Sequence, residues 1–356
     1  MKTLRDFKEE IHKCSRCGLC QEQCPVYKVT GNDCAVSRGK FVMLQGVLNG
    51  DLKLSKTINR YLDLCLKCGK CSKFCPSGID VVDVVVSAKS EYYKDHFLPK
   101  IISLFEKTIL FGLLPKFFSL FTHYHQGKKF DKKVLYFAGC GGAITGDKAI
   151  IKILNSLNIG VINPNFDCCG MKTFSEGDLN GFNNYIKSFV SVIKKYNVKE
   201  IVVSCASCEN VLKSYERWTE NSETMEFLKT IKIRNIYEYL RENNLKLKLK
   251  KPETVTYHKP CHIENLSDIE WVLNNTENLN YIKMNNYDNC CGLNSLSNPK
   301  EIKIFSKIYG NKRKNIINSG AKTVLTSCLG CEIALNTYSF GAYKVSDLIR
   351  YIVNRL

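Results

Sequence analysis

The 356-residue chain lacks any uncharged apolar run of the roughly 20 residues that a membrane-spanning helix needs. Its opening, Met1 to Lys13 (MKTLRDFKEEIHK), is charged and has none of the apolar stretch that marks a secretory signal. No GxGxxG stands in a strand–turn–helix setting, and there is no P-loop and no Ser-His-Asp constellation. With no flavin or nicotinamide motif, any substrate oxidation is expected on another protein. Zinc-finger spacing, RNA-binding signatures and an aromatic–basic ladder are also missing, so no nucleic acid partner is expected.

Cysteine is what the chain has in excess. There are 19, an odd number, mostly in short-spaced groups, while hydrophobic (44%) and charged (24%) contents are those of an ordinary globular protein of two or three domains. Without a secretory signal, that pattern disfavours a disulfide scaffold and favours metal or redox ligation in a reducing cytoplasm. The formal charge of +18 counts thiols as neutral. A cubane with four thiolates carries about −2, so bound clusters would lower it.

The first group is Cys14, Cys17, Cys20, Cys24-Pro25; the second is Cys65, Cys68, Cys71, Cys75-Pro76, each cysteine 51 positions after its counterpart. Two CxxCxxCxxxCP runs are the bacterial ferredoxin signature, in which the fourth cysteine ligates the other cluster. One [4Fe–4S] cluster is therefore expected on Cys14, Cys17, Cys20 and Cys75, and a second on Cys65, Cys68, Cys71 and Cys24. Three cysteines two residues apart let one turn aim three sulfurs at three iron corners, and a distant segment closes the fourth. Structural zinc is the competing use of CxxC, but zinc does not need a tandem triple plus CP.

The insert between the runs reads as helical, giving a helical ferredoxin module. Cys34 reads as a small core residue; Arg38 and Lys40 are candidates for tuning a nearby cluster's potential, with solvated surface the first reading for both. The stretch 96–130 is apolar but broken by Pro99, Lys100, Glu106, Lys107, Pro115 and Lys116, which suits two short amphipathic helices. They would pack between domains or rest on a membrane surface or partner. His123 and His125 at its end read as surface residues.

Beyond it a cysteine pattern occurs twice. Cys140, Cys168-Cys169-Gly170 and Cys205-Ala-Ser-Cys208 recur as Cys261, Cys290-Cys291-Gly292 and Cys328-Leu-Gly-Cys331, at offsets of 121, 122, 122, 123 and 123. Five cysteines holding register over that distance indicate an internal duplication. Buried-type strands at Val134–Ala138, Ile201–Ser204, Thr254–Tyr257 and Val324–Ser327 precede them, alternating with helical patterns, as in an α/β unit with a parallel sheet. The cysteines then sit just past strand ends, where such sheets place ligands. Adjacent cysteines converge only through a turn, for which Gly170 and Gly292 serve. Five sulfurs per copy fit an irregular cluster, or a cubane with one thiol spare. His258 and His262 flank Cys261 as candidates for proton delivery, iron ligation or, more commonly, hydrogen bonding around a cluster. Residues Arg241 to Glu253 (RENNLKLKLKKPE) read as a solvated linker between copies.

A tandem ferredoxin run followed by two such domains resembles the iron–sulfur subunit of glycolate oxidase and the corresponding iron–sulfur component of anaerobic glycerol-3-phosphate dehydrogenase. The likeness includes Gly31-Asn-Asp-Cys-Ala-Val-Ser-Arg-Gly-Lys40 and Cys75-Pro-Ser-Gly-Ile-Asp80. Lactate utilisation protein A and the cysteine-rich component of heterodisulfide reductase share the duplicated cysteine-rich (CCG) domains. The resemblance implies an α+β multidomain chain: a dicluster ferredoxin module over 1–95, an amphipathic connector over 96–130, and cysteine-rich domains over 131–245 and 252–356. It implies two [4Fe–4S] clusters, with one or two further iron–sulfur clusters in the duplicated domains. The function implied is a cytoplasmic electron-transfer subunit, peripheral on the inner membrane face. It would take electrons from an FAD-containing dehydrogenase or oxidase partner and pass them toward quinone or another membrane-linked acceptor. The competing reading is a heterodisulfide-reductase-like catalytic subunit that reduces a disulfide at a cluster.

Overall fold

The structure, a computed structural model, describes residues 2–95, 130, 132–140, 148–164, 166, 168–293 and 301–356. The expected connector over 96–130, with His123 and His125, lies outside the described residues, Phe130 excepted. No helix among the described residues is long and apolar enough to cross a membrane.

The N-terminal part is helical. Short helices Leu19–Gln23, Pro25–Thr30 and Lys70–Lys73 carry or follow the cysteine loops, and longer helices Ser37–Asn49, Lys56–Asp63 and Val81–Asp95 brace them. Val81–Asp95 is buried nearly all round over its first ten residues, polar ones such as Asp83 and Lys89 included, and Val84, Val85, Val86 and Ala88 are fully buried. Such a helix must be covered on more than one face. It shares one hydrophobic core with Leu4, Leu62, Phe174 and Trp218, so the helical part and the first duplicated unit are packed as one body. Lys89 on the same helix is buried and pairs with Asp63 at 2.7 Å.

The remainder consists of two four-stranded parallel sheets. The first has strands β1 (Lys132–Phe137), β2 (Ile159–Ile162), β3 (Glu200–Val203) and β4 (Lys232–Asn235), in the order β2-β1-β3-β4. The second has β5 (Leu247–Tyr257), β6 (Thr276–Tyr281), β7 (Thr323–Thr326) and β8 (Lys344–Asp347), in the order β6-β5-β7-β8. The two orders are the same, as a duplication requires. Side chains repeat too: the Tyr136 hydroxyl meets Ser204 at 3.1 Å, and that of Tyr257 meets Ser327 at 2.8 Å.

The solvated linker expected over 241–253 is not one. Arg241 closes the helix Ile236–Glu242, and β5 begins at Leu247, pairing Leu247 with Thr276 and Lys248 with Glu277. The cause is the alternation in Leu-Lys-Leu-Lys. Leu247 and Leu249 point inward and are buried, while the lysines face out.

Candidate iron–sulfur sites

The two ferredoxin-type loops share a backbone. Arg16 and Gly18 in the first have φ of 57° and 85°; Lys67 and Gly69 in the second have 51° and 67°. The second cysteine of each run thus stands between two left-handed residues. That conformation costs a non-glycine residue about 1–2 kcal/mol, and it recurs here 51 positions later. This wraps the chain around a point, and the third cysteine then enters a short helix. Cys24 caps the helix Pro25–Thr30, with Pro25 in its first turn and the Tyr27 N–H 3.5 Å from the sulfur.

Two cavities lie between these loops. One is walled by Cys14, Cys17, Cys20 and Cys75, the other by Cys24, Cys65 and Cys68, and Cys71 borders both. Each fourth cysteine thus faces the other run's loop. Burial pushes the thiols of Cys24, Cys68 and Cys71 up from their ordinary range, so an anionic sulfur is costly there on its own. A bound iron supplies the missing positive charge, and soft thiolates are its natural donors. The residues fit the group.

Lys40 is a correction. Read from sequence as solvated surface, it is 1% exposed, lines the second cavity and donates to the carbonyl of Ala35. Its charge helps pull the Cys24 thiol back down. Arg38 borders the first cavity and pairs with Asp33 at 3.0 Å. Cys34 is half-buried and borders neither cavity.

In the duplicated units the cysteines gather at the C-terminal ends of the central strands. Cys205 and Cys328 cap the helices Ala206–Trp218 and Leu329–Thr337, and Gly170 and Gly292 turn the cysteine pairs at φ of 75° and 77°. In the first unit neighbouring thiols lead from Cys140 to Cys168, Cys168 to Cys169, Cys169 to Cys208 and Cys208 to Cys205. The second repeats the order: Cys261 to Cys290, Cys290 to Cys291, Cys291 to Cys331 and Cys331 to Cys328. Cys205 and Cys328 then touch across the boundary, so all ten sulfurs form one file.

The file also meets the ferredoxin-type loops. Cys68 and Cys290 are buried in one small core, with Cys24 and Cys261 packed against it. Lys70 pairs with Asp288 at 2.9 Å, and the Lys73 ammonium lies 3.3 Å from the carbonyls of Cys261 and Ile263. These docking lysines carried no sequence signal beyond their position next to Cys71.

The two histidines separate in role. His262 Nδ1 lies 3.0 Å from the Ser207 hydroxyl, which lies 3.1 Å from the Cys328 sulfur, so a residue of each copy braces the other. Burial opposes its charge, but the adjoining Cys261 sulfur outweighs that and pushes His262 up to about 9. His258 is fully buried, and burial holds it well below the ordinary range, hence neutral. Its ring, Cys291 and Cys331 form a potential metal-ligand group.

Comparisons with known proteins bear on the domains that carry these cysteines. The 4Fe-4S dicluster domain matches residues 10–79, and the cysteine-rich domain matches twice, over 134–213 and 255–336. The chain is 22% identical to the probable glycolate oxidase iron–sulfur subunit of Bacillus subtilis, over 93% of this chain and 90% of that protein. It is also 22% identical to one of the subunits of the dihydromethanophenazine:CoB–CoM heterodisulfide reductase of Methanosarcina acetivorans, over 91% and 88%. In fold it is similar to a hypothetical protein from Helicobacter pylori of known crystal structure. There the TM-score is 0.53 at 13% identity, over 89% of this chain and 66% of that one.

Proposed function

From a chain that joins a 4Fe-4S dicluster domain to two cysteine-rich domains, we propose an iron–sulfur electron-transfer subunit of a flavin-linked dehydrogenase or oxidase complex. One cluster is held by Cys14, Cys17, Cys20 and Cys75, and a second by Cys24, Cys65, Cys68 and Cys71. Each cysteine-rich domain holds a further iron–sulfur site with its own five cysteines. Bound clusters supply one-electron acceptance and release. The protein's part is to hold them in file, keep them dry and set their charge. Electrons enter from an FAD-containing partner oxidising a 2-hydroxy acid or similar substrate, and leave toward quinone or another membrane-linked acceptor.

The observation that carries this reading is the unbroken order of sulfurs, from the ferredoxin-type loops through Cys261 to Cys205 and Cys140. The second copy lies next to the ferredoxin-type loops, and Lys70 and Lys73 fasten it there. A second reading has one observation in its favour. Cys205 and Cys328 meet where the two copies face each other. Two centres able to give one electron each at one place suit reduction of a disulfide to two thiols, which takes two electrons and two protons.

Iron and acid-labile sulfide on anaerobically prepared protein, with electron paramagnetic resonance, test the proposal. Wild type is expected to hold more than the roughly eight irons of two cubanes, and C169S and C291S to lose distinct signals. Eight irons unchanged in both variants would confine clusters to the ferredoxin-type loops and sink the proposal for the duplicated domains. Rapid reduction by a flavoprotein without turnover of disulfides separates the first reading from the second.

A further inference from the structure

The two duplicated sites are alike in cysteines but not in their surroundings. At the offset of 121 that joins Cys140 to Cys261 and Tyr136 to Tyr257, Phe137 corresponds to His258. The helices Leu179–Tyr196 and Ile302–Asn318 align at 123, which matches the buried Ile193 to Ile316 and the left-handed Asn197 to Gly320. At that offset Phe189 corresponds to Lys312.

In the first copy these positions make an apolar wall. Phe137 and Phe189 pack edge to face at 5.9 Å, and Phe166 lies 4.9 Å and 5.6 Å from them. In the second copy both positions are polar and just as deeply buried, with His258 at 0% and Lys312 at 2% exposure. Lys312 is satisfied, since its ammonium donates to the carbonyls of Asn286 at 3.0 Å and Tyr287 at 2.9 Å. His258 is not. Its backbone N–H donates to Leu325 at 2.8 Å. The Tyr287 backbone approaches the ring, yet neither ring nitrogen makes a hydrogen bond of acceptable geometry among the described residues.

A buried imidazole with no partner is costly, and proteins leave one in place where something else takes its lone pair. The nearest such destination is at hand: one ring nitrogen and the sulfurs of Cys291 and Cys331 lie within 4.8 Å of one another. We propose that His258 is an iron ligand of the second cysteine-rich domain, beside Cys291 and Cys331, giving a mixed histidine–thiolate site where the first copy holds thiolates alone. The inference rests on the reading that these domains bind iron. Where the neutral nitrogen takes an iron corner in place of one of the five sulfurs, leaving that thiol spare, the cluster's reduction potential rises. Electrons arriving from the ferredoxin-type loops then settle on the second copy before the first.

The test uses the full chain, reconstituted anaerobically, as wild type, H258F and H258C. Phenylalanine is what the first copy carries at this position, so H258F suits the packing. Wild type is expected to bind more than about eight irons. A ferrous chelator should withdraw the additional iron at least about 10-fold faster from H258F. H258C restores a soft donor and slow release. Pulsed paramagnetic resonance on protein labelled with 15N-histidine should show a nitrogen bonded directly to the cluster whose signal C291S removes. Wild-type release kinetics in H258F, or no bonded histidine nitrogen in the labelled wild type, overturns the ligand while the extra iron leaves the wider reading intact. About eight irons in the wild type would overturn both. Should H258F lose the ferredoxin-type signals and so prove misfolded, the labelled wild type decides alone.

Discussion

Lys73 reaches out of the second ferredoxin-type loop to the backbone of Cys261, its ammonium 3.3 Å from that carbonyl. With Lys70 on Asp288, it fastens the loop against the second cysteine-rich domain. Removing both side chains in K70A/K73A should weaken this contact by about 1–2 kcal/mol. Iron content should stay at the wild-type value, because neither lysine is a donor to iron. Stopped-flow reduction of the second domain should slow several-fold; an unchanged rate would detach these lysines from electron passage.

Cross-ligation makes an asymmetric prediction for the fourth cysteines. C75S should lose about four irons and the signal that C17S also removes, although Cys75 is in the other run. C24S should lose the signal shared with C68S. If each serine instead silenced its own run, the pairing of the two cavities would be wrong.

Lys40 places a buried positive charge beside Cys24. K40M keeps most of the length of the side chain but removes the ammonium that donates to the Ala35 carbonyl, at a cost of about 1–3 kcal/mol. The potential of the neighbouring cluster should fall, measured by redox titration, and K40R should restore it in part. Equal potentials in wild type and K40M would return Lys40 to a purely structural role.

Asp83 gives a pH dependence. It is buried where the helix Val81–Asp95 meets Arg217, 3.6 Å away, and burial pushes its carboxyl up to about 7. The folded value exceeds the unfolded 3.8. Its contribution is therefore fully present below about pH 4 and is lost as pH rises toward 7. D83N should abolish that decline and become the more stable form near pH 8, by an amount on the order of 3 kcal/mol. Urea midpoints of the two proteins between pH 5 and 8 decide it, and parallel curves would count against the shift.

The sequence displays what iron geometry dictates. Cysteine spacing follows from where sulfurs must stand around a cluster, so both ferredoxin-type runs and the duplication at Cys140 and Cys261 could be read in one dimension. The same holds for Gly170 and Gly292, whose turns are written in their residue type. Arg16 and Lys67 gave no such notice, because a left-handed backbone at a non-glycine residue is imposed by the loop around it. Lys40 looked solvated because lysine usually is, and only the packed helix shows its ammonium turned inward. In Leu247 to Lys251 the high charge concealed a period-two pattern. The meeting of Cys205 with Cys328, 123 residues apart, depends on how two sheets face each other, which no local pattern encodes.

The identical strand orders of the two sheets have a consequence for how direction arises. Two copies of one separate polypeptide, related by symmetry, would carry the same residue at each matching position. Any substitution would fall on both centres, and neither could outrank the other as a resting place for charge. Fusing the copies into one chain removes that restriction. Phe137 can stay aromatic while its twin becomes His258, and a pathway that began as a mirror can acquire a slope.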